Sequence, residues 1–193
     1  MIIRKIYKFE NAHIVRNCTS RRCRVSIHGH SYMCEVLLSS NYLDNAGMVY
    51  DFGLMKFGIK TLIDSFDHAT TLFSKDSSKY IDDMKKHTLR WVELPFNPSA
   101  EQFSRVFFVM IDALLKQTEM INGEKGVTLD SIIIHETDTG YAQCFRDDAY
   151  NPNMGAISLN DIKFSDEIKS EWEDPEFYDK LIDGEIFPAV KEA

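Results

Sequence analysis

The sequence lacks three features that would each indicate a particular class of protein. No run approaches the roughly 18 consecutive apolar residues of a membrane-spanning helix, so we expect no membrane partner. The first five residues, Met-Ile-Ile-Arg-Lys, lack the apolar stretch and cleavage site of a secretory signal peptide. Four unevenly spaced cysteines do not form a disulfide framework. Together these absences predict a cytoplasmic protein.

An excess of positive charge is also missing. The formal net charge of the 193 residues is −8, which argues against a broad nucleic-acid surface, and we expect no nucleic-acid partner. The acidity is local, because residues 147–193 contain 13 acidic and 4 basic residues and the rest of the chain is nearly neutral. With 44% apolar and 27% charged residues, the composition is typical of one soluble globular domain, here with an acidic C-terminal segment.

Two histidines separated by one glycine form the most distinctive chemical pattern. In an extended strand, side chains two residues apart point to the same face, so His28 and His30 would project side by side. Neutral imidazole is a common zinc ligand, and a catalytic zinc site has three protein ligands and one open position. His13, at the end of the first apolar run, is the candidate third ligand. Cys23 lies just upstream of the pair, within reach of whatever the metal would hold.

Other interpretations of this stretch remain open. A lone His-x-His pair is more often a solvated strand pair than a metal site, and Cys23 alone fits a small buried hydrophobe. A third interpretation joins Cys18 and Cys23 to the two histidines in a closed structural zinc site. Its Cys-x4-Cys-x4-His-x-His spacing fits poorly with the usual zinc knuckles.

The hydrophobic pattern predicts an α+β fold in the order strand–strand–helix–helix–strand–strand. We expect an antiparallel four-stranded sheet with both helices packed on one face. The predicted strands span residues 2–13, 30–43, 128–137 and 141–146, and the predicted helices lie at 53–66 and from Ser99 onwards. Ser99 is the predicted N-cap of the second helix. Residues 16–24 are predicted as a polar loop, residues 74–90 as a loop with one helical turn, and residues 90–94 as a short extended piece.

Three further groups have both a functional and a structural interpretation. The adjacent Asp67 and His68 could form an acid–base pair, or a cation at a helix C-terminus. Glu136, at the end of an apolar strand, is either exposed at the rim or recognises a ligand. The arginines of residues 16–24 provide solubility or attract an anionic substrate.

Six short motifs together resemble the 6-pyruvoyltetrahydropterin synthase / 6-carboxytetrahydropterin synthase family, whose fold is the tunnelling fold, or T-fold. They occur in family order and cover about residues 1–146. The motifs are Phe9-x-x-Ala12-His13, Cys23 before His28-Gly29-His30-Ser31-Tyr32, Gly47-Met48-Val49-x-Asp51-Phe52, Asp67-His68, Asn97-Pro98-Ser99-Ala100-Glu101 and His135-Glu136-Thr137. The four residues between Cys23 and His28 differ from the spacing of the best-known members, and Ser99 stands where threonine is usual.

The resemblance implies a role for each site residue. It implies Zn²⁺ on His13, His28 and His30, and Cys23 as the proton-transferring thiol with Asp67 and His68 as its partners. It implies that Glu136 holds the pterin, with Ser99 and Glu101 as further substrate contacts, and that the substrate is 7,8-dihydroneopterin triphosphate. The implied assembly is a homo-oligomer, a hexamer built as a dimer of trimers, with the active site at a subunit interface.

The favoured activity within this family is formation of the 6-carboxy product, on the 7-deazaguanine (queuosine) route. The alternative is formation of 6-pyruvoyltetrahydropterin from the same substrate. A different class of function is a catalytically silent metal- or pterin-binding protein. Residues 147–193 lie outside the resemblance, and we predict that this acidic extension is helical and docks on the T-fold domain of residues 1–146.

Overall fold

Alternating burial along the first strand shows which face of the sheet lies against the core. The computed structural model of the chain describes residues 1–188, and its first strand, β1, spans Ile2–His13. Tyr7 and Phe9 are buried on one face of β1, whereas Lys8 and Glu10 are exposed on the other. A two-residue period of this kind is what a strand with one face against a core requires.

Seven strands form one mixed sheet in the described part of the chain. The other six are β2 His28–Ser39, β3 Ala69–Phe73, β4 Trp91–Leu94, β5 Thr128–Thr137, β6 Gly140–Phe145 and β7 Lys163–Phe164. Their order across the sheet is β6-β5-β2-β1-β3-β4-β7. The β1–β2, β2–β5, β5–β6 and β4–β7 pairs are antiparallel, and the β1–β3 and β3–β4 pairs are parallel.

The predicted α+β class is therefore confirmed, but the predicted count of four strands is wrong. The four expected strands form the antiparallel part of the sheet, β6-β5-β2-β1. The sequence analysis missed β3 and β7 and did not assign residues 91–94 to the sheet. These strands have five, two and four residues, too few for an alternating pattern to be recognised.

Residues 1–188 contain seven α-helices, most of them short. They are α1 Arg21–Val25, α2 Gly58–Asp64, α3 Ser78–His87, α4 Ala100–Gln117, α5 Arg146–Ala149, α6 Asp166–Ser170 and α7 Phe177–Asp183. The predicted polar loop at 16–24 thus contains the start of α1, and the predicted loop at 74–90 contains the ten-residue α3. The Ser77 hydroxyl caps α3, and Ile81 is the buried residue of its inner face.

The 18-residue helix α4 is the centre of the core. Its Ser99 N-cap is confirmed, because the Ser99 hydroxyl accepts a hydrogen bond from the Gln102 N–H. Phe103 and Phe107 of α4 are fully buried and pack edge-on against Phe9 of β1. Aromatic pairs in this arrangement contribute about 0.5–1.5 kcal/mol each beyond burial of their area.

The helix predicted at 53–66 divides into a 3-10 turn at Leu54–Lys56 and α2. Gly58 is the first residue of α2, and there is little room for a side chain at this position. A Cβ at this position would lie 2.8 Å from Cδ2 of Leu114 in α4. The glycine allows α2 to approach α4 closely. The predicted helix is interrupted at Phe57, whose backbone angles (φ −89°, ψ −129°) are not helical.

Residues after α5 pack on this body through both backbone and side chains. Strand β7 pairs with the outer edge of β4. Helix α7 buries Phe177, Tyr178 and Leu181, and the Trp172 indole N–H donates to the Ser65 hydroxyl at 2.9 Å. Residues 189–193, which the predicted extension includes, lie outside the described residues. Among residues 1–188, every helix is too short or too polar to cross a lipid bilayer.

A buried carboxylate joins α4 to α5. Asp112 is 2% exposed, and its oxygens accept hydrogen bonds from Arg146 at 2.5 Å and the Tyr150 hydroxyl at 2.6 Å. Lys116 lies 2.8 Å away. Burial raises the pKa of Asp112, but the hydrogen bonds from Arg146, Lys116 and Tyr150 outweigh it and hold this pKa below its usual range.

We expect Asp112→Asn to lower the free energy of unfolding at pH 7 by about 2–3 kcal/mol, because charge-assisted hydrogen bonds are lost. The lowered pKa means that this stabilisation is complete above the unfolded-state value of about 3.9 and decreases as the pH falls through the native-state value. The difference in free energy of unfolding between wild type and Asp112→Asn, measured with urea, should therefore be smaller at pH 3 than at pH 7. Asp82→Asn, on an exposed face of α3, is the control, and an equal loss in both variants would contradict this account.

Candidate metal centre and surrounding site

Strand pairing brings the three predicted histidine ligands together. His13 ends β1 and lies directly opposite His28, which begins β2, and His30 follows on the same face of β2. The nitrogen ligand atoms of the three rings all lie within 4.8 Å of one another. A Cβ on Gly29 would lie 3.3 Å from the Asn11 carbonyl oxygen, so glycine lets the two strands approach closely between the histidines.

The hydrogen bonds of two of these rings leave the same nitrogen free. His13 Nδ1–H donates to the Pro98 carbonyl at 2.5 Å, and His28 Nδ1–H donates to the Ser26 carbonyl at 3.0 Å. These partners assign the proton to Nδ1 in both rings. The two Nε2 atoms, 3.2 Å apart, then face each other with lone pairs. A cation between them removes this repulsion, so the donor set fits a metal ion such as zinc.

His13 is held in the neutral form that binds metal. Its ring is almost fully buried and lies parallel to the Phe103 ring, with 6.2 Å between centroids. Burial, and to a smaller extent the charges of His28 and His30, lower the pKa of His13 to about 4, although the Pro98 hydrogen bond opposes the shift. His13 is therefore uncharged at neutral pH.

Glu136 reaches the histidines from β5. Its Oε1 lies 3.8 Å from His30 Nε2 and 3.9 Å from His13 Nε2. The β5–β6 pairing is irregular between His135 and Thr137, and irregularities of this kind re-aim a side chain. The Glu136 side chain is 34% exposed, so one carboxylate lies beside the histidines and is open to a ligand.

Tyr32 belongs to the site and was missed as a site residue by the sequence analysis. Its hydroxyl donates to Glu136 Oε1 at 3.3 Å, and its ring stacks on Phe9 at 4.9 Å. Burial, then the neighbouring Glu136 carboxylate, raise the pKa of Tyr32, so the hydroxyl keeps its proton. The sequence contained a signal for it, because Tyr32 is two residues after His30 and therefore lies on the same face of the strand as His28 and His30.

The first turn of α4 lies beside this group through Pro98. Ser99 is the helix cap, so its hydroxyl already accepts the Gln102 N–H. Glu101 is exposed in the first turn. Both residues are thus close in sequence to the carbonyl that binds His13, and Glu101 is free to contact a ligand.

Cys23 is partly buried in α1, close to the end of β1. The Cys23 carbonyl accepts a hydrogen bond from the Val15 N–H at 3.1 Å, which holds α1 against the segment that follows His13. The Cys18 thiol donates to the Ser20 carbonyl instead. Among residues 1–188 the potential metal ligands group without either cysteine, so the closed Cys–His site is not formed.

Asp67 and His68 form a pair apart from the histidine group. His68 Nδ1 lies 2.9 Å from Asp67 Oδ2, and Asp67 Oδ1 accepts the Glu10 N–H at 2.7 Å. Burial raises the pKa of Asp67, but the hydrogen bonds from Glu10 and His68 bring it below its usual range. In the described part of the chain, no hydrogen bond or ion pair joins this pair to His13, His28 or His30, and the His68 side chain is 74% exposed.

Two cavities lie away from the histidine nitrogens. One, of about 570 Å³, lies near the far end of α4 between α2 and residues 171–188. The other is an open groove of about 470 Å³ that includes Arg16, Cys18 and Ser99 among its lining residues. Neither cavity is lined by His13, His28 or His30.

Comparison with known proteins identifies the family of this chain. The family model described as 6-pyruvoyl tetrahydropterin synthase matches residues 2–147. The chain belongs to this family. A 6-carboxy-5,6,7,8-tetrahydropterin synthase of Helicobacter pylori strain J99 is 40% identical over 186 residues, or 96% of this chain and 93% of that protein. A protein of the same name from Aquifex aeolicus is 28% identical over 158 residues, or 73% of this chain and 95% of that one.

Solved structures support the fold. An uncharacterized protein of Wolinella succinogenes superposes with a TM-score of 0.58 at 19% identity, covering 76% of this chain and 98% of that one. The Caenorhabditis elegans 6-pyruvoyl tetrahydropterin synthase gives a TM-score of 0.52 at 20% identity, covering 75% and 94%. The T-fold prediction is thereby confirmed. The Helicobacter alignment also includes most of the residues beyond 147, so that relative shares the C-terminal segment.

We expect alanine at His13, His28 or His30 to weaken zinc binding by more than the 10–100-fold typical of losing an outer-shell partner, because a direct ligand is removed. Zinc per chain, measured after dialysis against a weak chelator, checks this, with far-UV circular dichroism to confirm that the apo fold persists. Cys18→Ala is the matched control and should keep the zinc of the wild type. Loss of zinc in Cys18→Ala with retention in His13→Ala would instead favour the closed site.

Proposed function

We propose that this protein is a zinc-dependent 6-carboxy-5,6,7,8-tetrahydropterin synthase. It converts 7,8-dihydroneopterin triphosphate and water into 6-carboxy-5,6,7,8-tetrahydropterin, triphosphate and acetaldehyde, on the 7-deazaguanine (queuosine) route. The observation that carries the proposal is the three-histidine group, in a chain of this family that is 40% identical to a curated 6-carboxy-5,6,7,8-tetrahydropterin synthase. A cytoplasmic location remains the expectation from the cysteine pattern.

His13, His28 and His30 would hold the zinc ion. Bound by three neutral imidazoles, a zinc ion would keep its full positive charge and would polarise a hydroxyl or carbonyl on the substrate side chain. The Nδ1–H groups of His13 and His28 donate to backbone carbonyls, which fixes both rings with Nε2 towards the metal position.

Glu136 orients the pterin in this proposal. A carboxylate accepts two hydrogen bonds side by side, which matches adjacent N–H groups of an amino-pyrimidine edge. Tyr32 holds one carboxylate oxygen in place through its hydroxyl. Because Glu136 is less than 4 Å from His13 and His30, a pterin bound to it would lie against the three-histidine group. Ser99 and Glu101 are the further proposed contacts.

Proton transfer is assigned to Cys23, Asp67 and His68. The Cys23 side chain, in the helix that also contains Arg21, Arg22 and Arg24, would accept a proton from the substrate side chain. The His68 imidazole returns a proton, and Asp67 stabilises its charged form. Removal and return of protons at neighbouring atoms is what isomerisation of the side chain and expulsion of triphosphate require. Release of acetaldehyde also breaks a carbon–carbon bond of the side chain and consumes one water molecule.

Assembly would complete the site. Asp67 and His68 lie apart from the histidines of the same chain, and His68 is exposed, so we assign the pair to the site of a neighbouring subunit. The sheet supports such contacts, since Ile2, Ile6, Tyr141 and Phe145 are exposed and β6 is an edge strand. Exposed edges of this kind are suited to pairing with another chain. A hexamer is the assembly that the family resemblance implies.

Incubation of the zinc-loaded protein with 7,8-dihydroneopterin triphosphate tests the function directly. Mass spectrometry should identify 6-carboxy-5,6,7,8-tetrahydropterin, with triphosphate and acetaldehyde in equal amounts. Accumulation of 6-pyruvoyltetrahydropterin would assign the alternative activity. Binding of the pterin without triphosphate release would show a silent pterin-binding protein and refute the enzyme.

We expect Cys23→Ala to lower turnover by about 10²–10⁴-fold, the loss typical of removing a positioned acid–base group. Zinc content and pterin binding should be retained, because Cys23 is outside the group of histidine ligands. Single-turnover release of triphosphate from zinc-loaded protein is the measurement, and Cys18→Ala, expected to remain within a few-fold of wild type, is the matched control. Full activity of Cys23→Ala would assign proton transfer to another group.

Mixed oligomers test the shared site. Cys23→Ala and His68→Ala chains should each be inactive alone, and their mixture should recover part of the wild-type turnover because hybrid interfaces contain one intact set of residues. Subunit exchange is followed with a mass-tagged chain, and Cys23→Ala mixed with itself is the control. Proven exchange without recovery would place Cys23 and His68 in the site of the same subunit or outside catalysis.

A further inference from the structure

We propose that Asn97 is a positioning residue that keeps His13 in its metal-binding tautomer, acting through the Pro98 carbonyl. The proposal rests on the metal site of the proposed function. Among the hydrogen bonds of residues 1–188, those of Asn97 are to Arg16 and Ser99 and not to a histidine, so its effect is transmitted through the backbone between Asn97 and Pro98.

The Asn97 side chain pairs with the backbone of residue 16 as a neighbouring strand would. Its Nδ2–H donates to the Arg16 carbonyl at 2.9 Å, and its Oδ1 accepts the Arg16 N–H at 2.8 Å. The Asn97 carbonyl accepts the Ser99 N–H at 2.8 Å, which tightens the turn around Pro98. The side chain and the main chain of Asn97 thus both form hydrogen bonds.

This amide pair fixes the distance between two segments that are 81 residues apart in sequence. Arg16 lies three residues beyond His13, and Pro98 follows Asn97 directly. Because proline also fixes its own backbone angle φ, little freedom remains between the Asn97 side chain and the Pro98 carbonyl. The short 2.5 Å contact from His13 Nδ1 to this carbonyl is the result.

A competing hydrogen bond makes this distance important. The Tyr32 hydroxyl lies only 3.4 Å from His13 Nδ1. If the Pro98 carbonyl moved away, Tyr32 could donate to Nδ1, and the ring proton would transfer to Nε2, the atom that faces the metal position. A protonated Nε2 cannot bind a metal. Metal binding would then require the proton to return to Nδ1, and the metal affinity would be lower.

Zinc affinity of the full-length protein, measured by competition with a chromophoric chelator, tests the proposal. We expect Asn97→Ala to bind zinc 10–100-fold more weakly than wild type, the range for loss of an outer-shell partner. Asn97→Leu keeps the size of the side chain without its hydrogen bonds and should show the same loss. Asn122→Ala is the matched control, because the Asn122 amide also joins distant segments, through Asp44, but near the other end of α4.

A spectroscopic measurement separates tautomer control from general loosening. In the zinc-free protein, ¹⁵N–¹H correlation spectra should show the Nδ1–H tautomer of His13 in wild type and an increased Nε2–H fraction in both Asn97 variants. Wild-type zinc affinity together with an unchanged tautomer in these variants would overturn the inference. If His13→Ala loses zinc while Asn97→Ala does not, only this inference fails. Equal zinc binding by wild type and His13→Ala would remove the metal site as well.

Discussion

The antiparallel register of β1 and β2 is the constraint on which the rest of the site depends. It sets His13 opposite His28 and places Phe9 opposite Tyr32 on the same face. A slip of one residue would turn every side chain of a strand to the opposite face, and the three histidines would no longer meet. The stacked pair of Phe9 and Tyr32 opposes such a slip, because these large rings are buried only in the observed register.

Helix α4 connects this register to the rest of the molecule. At its N-terminal end, Phe103 lies against His13, and the turn before the helix provides the Pro98 carbonyl. Further along, Asp112 binds Arg146 at the start of α5, so residues beyond the strands are anchored to the same helix. One rigid element thus supports the metal position on one side and the C-terminal segment on another, and the sheet and helix restrain the histidines before any ligand binds.

The parts of the fold that could be predicted from the sequence are those with a local pattern. Alternation identified β1 and β2, and with them the three histidines, while a helical stripe and a capping serine identified α4. The pairing of β3 with β1 involves only two residue pairs, and the contact of His13 with Pro98 joins residues 85 apart. Neither has a periodicity in the sequence, because each arises from tertiary packing. Tyr32, by contrast, could have been predicted as a site residue, since it belongs to the same alternating pattern as His28 and His30.

The backbone at His68 bears on the proposal that a neighbouring chain uses this residue. His68 has a φ of 50°, in the left-handed region that is uncommon for residues other than glycine. The hydrogen bond from the Glu10 N–H to Asp67 holds the preceding residue against β1, so the unusual conformation turns the imidazole outward to 74% exposure. A fold with no use for His68 could replace it with glycine or asparagine at lower conformational cost. The exposure of this ring is the observation on which its proposed role in a neighbouring subunit rests.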